Sequence, residues 1–281
     1  MVISVVIAAH NEEAVIARCL QALLRDAEPG EFETVVVPNG CTDGTAAAAR
    51  AVPGVRVIER AEPGKAAALN EGDRAAAALP RLYLDADVVL DTAAVRALVA
   101  ALDTPGILVA VPRRDLDTTG RPWSVRAYYR IHSRLPALHN GLYGRGAIAV
   151  SAAGRARFSE FPTAIADDLY LDSLFGADER VQVDTVGALV ATPRRTGDLV
   201  RRLARVRAGN AAMRASGPTV RRADRLSWLR DVVVRQPALI PHAVWYVSLT
   251  ASAAVLARRN RKAAWARDES SRSPADGPVG A

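Results

Sequence analysis

Leu82-Tyr83-Leu84-Asp85-Ala86-Asp87 is a short apolar run, one residue of it aromatic, that ends in two carboxylates one residue apart. Such a run reads as a buried strand whose carboxyl end reaches the edge of a sheet. Open α/β sheets bind ligands there, in the crevice outside the strand ends. Asp85 and Asp87 suit a divalent cation at that edge. Hard ions such as Mg2+ or Mn2+ prefer oxygen ligands and are often held by one or two carboxylates plus substrate phosphates. Alternating acids also solvate ordinary turns, so the reading rests on what lies upstream.

Upstream, strands and helices alternate. Apolar runs predict strands at 2–8, 34–38, 55–58 and 81–85, and amphipathic stretches predict helices at 12–25, 42–51, 64–78 and 91–102. Short connections between such units imply right-handed crossovers and a mostly parallel sheet. A strand at 107–111 follows, then a less regular section at 112–147, strand-like pieces at 181–186 and 188–192, and helices at 166–176, 198–215 and 222–235. Residues 237–257 contain no Asp, Glu, Lys or Arg. As a helix they would nearly match a hydrocarbon core of roughly 30 Å, although two prolines and several Ser and Thr residues weaken a spanning reading. The final residues, rich in Ser, Pro, Gly and charge, read as a disordered tail.

The 281 residues are 50% hydrophobic and 24% charged, ordinary for a globular protein large enough to bury a core. Cys19 and Cys41 lack metal-ligand or redox spacing and read as reduced thiols of a cytosolic protein. The chain opens on Val2-Ile3-Ser4-Val5-Val6-Ile7, a first strand rather than a signal peptide. The net charge of +7 is uneven: residues 1–193 hold 19 basic against 24 acidic side chains, and residues 194–235 hold 12 arginines against 3 acids. Nucleic-acid binding would call for a more uniform basic surface. This pattern fits a phosphate-bearing ligand or an anionic membrane near the C-terminal part.

Each front-half strand is followed by a loop suited to a nucleotide. These are Ala8-Ala9-His10-Asn11-Glu12-Glu13, Pro38-Asn39-Gly40-Cys41-Thr42-Asp43-Gly44-Thr45, Glu62-Pro63-Gly64-Lys65-Ala66 and the Asp85-Ala86-Asp87 step. Small residues such as Ala8 and Ala86 allow close approach of a base and ribose. Asn39 offers a donor and an acceptor, and Lys65 at a helix start can meet a phosphate. A P-loop is excluded, since Glu59 and Ala66 stand where it needs glycine and Ser/Thr; Gly144-Arg145-Gly146 lacks the third glycine and the βα context of a dinucleotide fingerprint.

Ser4 to Glu13, Asn39 to Thr45, Gly64-Lys65-Ala66-Ala67-Ala68-Leu69-Asn70 and Asp85-Ala86-Asp87, in this order and spacing, resemble the family 2 glycosyltransferases over about residues 1–210. The resemblance implies a GT-A fold, a nucleotide-diphosphate sugar donor, a divalent cation (Mn2+ or Mg2+) on Asp85 and Asp87, and inversion at the anomeric carbon. The implied donor site comprises Ala8, His10, Glu12, Asn39, Lys65, Asp85, Ala86 and Asp87, with His10 stacking on the base or packing in its loop. It also implies a general base at the acidic pair Asp167-Asp168, with Asp168 preferred; the pair could instead only cap a helix. Relatives often carry an acid where Asn39 stands, which loosens nucleobase identity, although a UDP-sugar is favoured. Processive relatives carry Gln-x-x-Arg-Trp, whereas this chain has Ala204-Arg205-Val206-Arg207-Ala208, so addition of a single sugar is expected. Arg205 and Arg207 approach the diphosphate or acceptor, or form a solvated helix face. His139 to Gly146 lines the acceptor side or forms a glycine turn, and His132 and His242 are structural.

The expected organisation is a catalytic domain at 1–215, a helical extension at 216–262 that associates with membrane, and a tail at 263–281. The expected enzyme moves a sugar to a glycan, lipid-linked or small-molecule hydroxyl. It is cytoplasmic and peripheral at the inner face of the cell membrane, and it binds no nucleic acid. A sugar nucleotidyltransferase and a non-catalytic nucleotide-sugar-binding protein are the rival readings.

Overall fold

A computed structural model describes residues 1–139, 141–162, 167–216, 224 and 226–259. The elements run β1 (Ile3–Ala9), α1 (Glu13–Leu24), β2 (Phe32–Pro38), α2 (Thr45–Arg50), β3 (Val55–Val57), α3 (Lys65–Ala75), β4 (Arg81–Leu84) and α4 (Thr92–Ala101). Then come β5 (Val109–Asp117), α5 (Trp123–His132), α6 (Pro136–His139), β6 (Ala147–Val150), α7 (Ala152–Arg155), α8 (Asp167–Leu174), β7 (Arg180–Ala191), α9 (Thr196–Ser216) and α10 (Ile240–Arg259).

The strands form one seven-stranded sheet in the order β3-β2-β1-β4-β6-β5-β7. All neighbouring pairs are parallel except those that β6 makes with β4 and β5. Side chains alternate across a strand, and β1 uses both faces. Ile3, Val5, Ile7 and Ala9 pack with Ile16, Leu20 and Leu23 of α1 and Val95 and Leu98 of α4. Val6 faces the opposite layer, with Ala68 and Leu69 of α3, Leu171 of α8 and Phe158, Phe161 and Phe175. Helices therefore cover both faces, as a mostly parallel sheet requires. The Asp91 carboxylate caps α4, accepting the Ala94 N–H at 2.7 Å.

Several boundaries differ from the sequence expectation, each for a local reason. The second helix starts at Thr45, not residue 42, because Asp43 accepts from Thr45 N–H (3.1 Å) and Thr42 N–H is held by Asn11 Oδ1 (2.8 Å). The section 112–147 is more regular than expected: it holds the rest of β5, then α5 and α6, and β6 follows at once. The pieces at 181–186 and 188–192 are one strand. The register of β7 against β5 slips between Pro112 and Arg113, where proline has no N–H to offer the ladder. Trp228–Val233 forms a π-helical turn instead of the middle of a long helix at 222–235; residues 217–223 and 225 of that stretch lie outside the described residues, as does the expected tail. Pro237–Arg259 is long and apolar enough to cross a bilayer, with mean hydropathy 1.5. Its Ala243, Leu249 and Ala253 are buried, and Tyr246 stacks on Tyr128 of α5 with ring centroids 5.2 Å apart.

A buried charge network ties α3 to the sheet. Asp73 pairs with Arg81 at 2.5 Å and Arg155 at 3.0 Å and accepts from Tyr83 Oη at 2.9 Å. Removing one member of such a set leaves buried charges without partners, at about 3–5 kcal/mol. Asp73→Ala should lower the unfolding free energy by about that amount in urea titrations; an unchanged midpoint would contradict the importance of the network.

Candidate active site

The parallel order β3-β2-β1-β4 brings the loops after these four strands side by side. Asn39 fastens three of them together. It is 1% exposed, its Nδ2 donates to Ala9 O (2.7 Å) and Val37 O (3.3 Å), and its Oδ1 accepts from Gly64 N–H (2.9 Å). The amide expected to meet a nucleobase thus has three partners in the protein's own backbone. His10 Nδ1 lies 2.5 Å from Asn39 O, which orients the ring at the same junction. Glu12 is buried and its N–H donates to Thr45 Oγ1 at 2.7 Å. Ala8 is half-buried near the end of β1. The Ala86 side chain belongs to the core beneath the loop, so a ligand above could meet only its backbone.

The carboxylates converge on one lysine. Lys65, the first residue of α3, places Nζ 2.7 Å from Asp85 Oδ1 and 2.9 Å from Asp167 Oδ2. Asp167 and Asp168 open α8. Asp168 Oδ2 accepts the Gly144 N–H at 3.0 Å, and its Oδ1 accepts the Leu169 N–H at 2.8 Å. Gly144 and Gly146 have φ of 70° and 71°, a left-handed conformation that favours glycine. A Cβ at Gly146 would also run into Val88, so this turn can lie against the Asp85 loop only as glycine. Lys65, Asp85, Arg145, Gly146, Asp167 and Asp168 line one small cleft.

The surroundings set the proton affinities. Burial pushes the Asp168 pKa up to about 6, assisted by the negative charge of Asp167 and opposed by Lys65 and the Gly144 N–H. Burial also raises Asp85, with Lys65 opposing and Asp87 and Asp167 adding to the rise. Burial disfavours the Lys65 ammonium, but Asp167 and Asp85 outweigh it and hold its pKa well above the ordinary lysine value. The donor set fits a hard divalent cation: Asp85 and Asp87 supply oxygens, and Asp85 Oδ2 has no hydrogen-bond partner among the described residues.

The two arginines singled out in the sequence part company. Residues two apart on a helix stand about 200° apart around its axis. Arg207 is exposed and bears on Tyr246, while half-buried Arg205 shares its side of α9 with Arg202. Arg202 carried no motif and was not legible. His132 stacks on Tyr128 (5.1 Å between ring centroids) and His242 packs on Trp123 (5.0 Å). Gly141 to Gly146 form the turn over Asp168, and Asn140 lies outside the described residues.

The family model described as glycosyl transferase family 2 matches residues 4–157, more than half of the chain. The chain belongs to that family. It is therefore a glycosyltransferase, and the two rival readings fall away. No curated protein matches it. Among solved structures, a mannosyltransferase from Pyrobaculum calidifontis in complex with GDP-Man and Mn2+ superposes with a TM-score of 0.59 at 20% identity, over 92% of this chain and 79% of that one. Glucosyl-3-phosphoglycerate synthase from Mycobacterium tuberculosis, in complex with Mn2+, UDP and glucosyl-3-phosphoglycerate, gives 0.55 at 23% identity, over 75% and 79%. At these identities the likeness shows the shared GT-A fold.

Carboxyl-carbon NMR of the unliganded glycosyltransferase should find an aspartate midpoint near 6. Because Lys65 favours the charged form, Lys65→Met should raise that midpoint, and Asp168→Asn should remove it. A midpoint that stays put in Lys65→Met would contradict the coupling.

Proposed function

We propose that this family 2 glycosyltransferase transfers one sugar, with inversion, from a nucleotide-diphosphate donor to an acceptor hydroxyl, with a UDP-sugar the favoured donor. The observation that carries the proposal is the junction at Lys65, which joins Asp85 of the donor loop to Asp167 beside Asp168. Asp168 takes the proton of the acceptor hydroxyl while its oxygen attacks the anomeric carbon, opposite the departing nucleoside diphosphate. A pKa near 6 leaves it mostly unprotonated at neutral pH yet more basic than an ordinary aspartate. Asp85 and Asp87 hold Mn2+ or Mg2+, in keeping with relatives solved with Mn2+ or Mg2+ and nucleotide. A cation held there would neutralise charge on the leaving diphosphate. Lys65 then gives up Asp85, keeps Asp167 and turns its charge toward the diphosphate. His10 and Glu12 border the donor from the first loop, and the acceptor enters from the Gly141 to Gly146 side.

We also propose that the enzyme works on the cytoplasmic face of an anionic membrane. One side of α10 packs on the catalytic domain; Ile240, Val244, Trp245, Val247 and Val255 on it are 40–62% exposed, and Arg235, Arg258 and Arg259 at its ends are exposed. An apolar face with basic ends suits a helix lying in the headgroup region. High salt or carbonate should release the protein from membranes without detergent. A requirement for detergent would mean that the helix spans, and full solubility at low salt would exclude membrane binding.

Removing divalent ions with excess chelator should abolish donor turnover, and Asp87→Ala should do the same without lowering the melting temperature. Turnover that persists in chelator would overturn the metal role.

A further inference from the structure

Arginines near the acceptor half of the sheet fall into two groups. Arg113 pairs with Asp115, Arg121 with Asp117 and Arg201 with Asp198. Arg114 on β5 and Arg202 on α9 have no carboxylate partner among the described residues. Both are half-buried. The Arg114 Nη2 stands 3.5 Å from His132 Nδ1, and its Nη1 would lie 3.1 Å from a Cβ at Gly144, the residue whose N–H holds Asp168. Arg202 donates to Ala191 O at 3.3 Å and acts electrostatically on both Arg114 and His132. The other polar neighbours that bear on Arg114 are Tyr128, Tyr129 and Arg145, whose guanidinium donates to Pro112 O and Leu138 O.

Two unpaired cations held near each other in a partly desolvated place repel, and an oxyanion between them would relieve this. The physical signs agree. Burial and then the charges of Arg114 and Arg202 push the His132 pKa down to about 3, so the ring stays neutral and adds no further charge. Burial and Arg202 likewise lower Arg114.

We propose that Arg114 and Arg202 bind a phosphate group carried by the acceptor. This deepens the proposed function and rests on it. The place favours the acceptor over the donor: β6 separates β5 from β4, and neighbouring strands lie about 4.8 Å apart, so β5 runs about 10 Å from the strand that leads into Asp85. Asp168 lies at the Gly144 turn between them. A phosphate a few bonds from the reacting hydroxyl would therefore reach Arg114 while that hydroxyl meets Asp168. The planar arginine fork suits phosphate oxygens.

The test uses the full chain and sn-glycerol 3-phosphate as probe, with glycerol as the uncharged control, read by calorimetric titration at constant ionic strength. Saturable binding of the phosphate ester but not of glycerol is expected. Arg114→Met and Arg202→Met should each weaken it by about tenfold or more, and Arg114→Lys, which keeps the charge, should lose less. Binding should persist with saturating UDP or GDP and Mg2+. If the nucleotide displaces the probe, the arginines serve the donor diphosphate and the proposal is wrong. No binding by the wild type, or undiminished binding in folded Arg202→Met and Arg114→Met, would also overturn it. Nucleotide binding, measured in the same samples, reports separately on the donor reading and should be unchanged in both variants.

Discussion

The ammonium of Lys65 is the point on which the site depends. Asp85, Asp87, Asp167 and Asp168 act on one another electrostatically, and such a set cannot stay ionised together without a counter-charge. Lys65 supplies it with two contacts under 3 Å. Its position follows from α3 beginning at residue 65, straight after Gly64, whose N–H is held by Asn39. The loop after β2 thereby sets where the lysine of the next loop points.

That dependence gives Asn39 and Gly146 their importance. Neither needs to touch a ligand to matter. Asn39 makes three strand-end loops one rigid floor, and Gly146 lets the turn carrying Gly144 close over Asp85 and hold Asp168. A carboxylate held by a backbone N–H and the dipole of its own helix start keeps its direction while its proton affinity is set by burial. Positioning and basicity thus come from different parts of the fold.

The front half was readable because each short apolar run followed by a polar loop has one natural place in a parallel α/β sheet. The Asp85-Ala86-Asp87 step and Lys65 could be picked out because one ends a strand and the other begins a helix, whereas the Asp167-Asp168 pair was pointed to by the family resemblance. Other features left no local trace. The four-residue β6 runs antiparallel to both of its neighbours, β4 and β5, and nothing in Ala147-Ile148-Ala149-Val150 announces that. The buried face of α5 mixes Val125, Ala127 and Ile131 with Ser124 and two tyrosines set between Arg126 and Arg130, which blurs its period. The residue type of Asn39 reveals its hydrogen-bonding capacity but not its partners. The contact between Lys65 and Asp167, far apart in sequence, exists only once the sheet is assembled.

The most direct measurement compares Asp168→Asn and Asp167→Asn with the wild type for nucleotide binding by calorimetry and for sugar transfer. The expected result is intact nucleotide binding in Asp168→Asn with transfer slowed by about 10²-fold or more, the usual scale for loss of a general base. Wild-type transfer by Asp168→Asn, or a defect of that size confined to Asp167→Asn, would contradict the assignment of the base and the role given to the Lys65 junction.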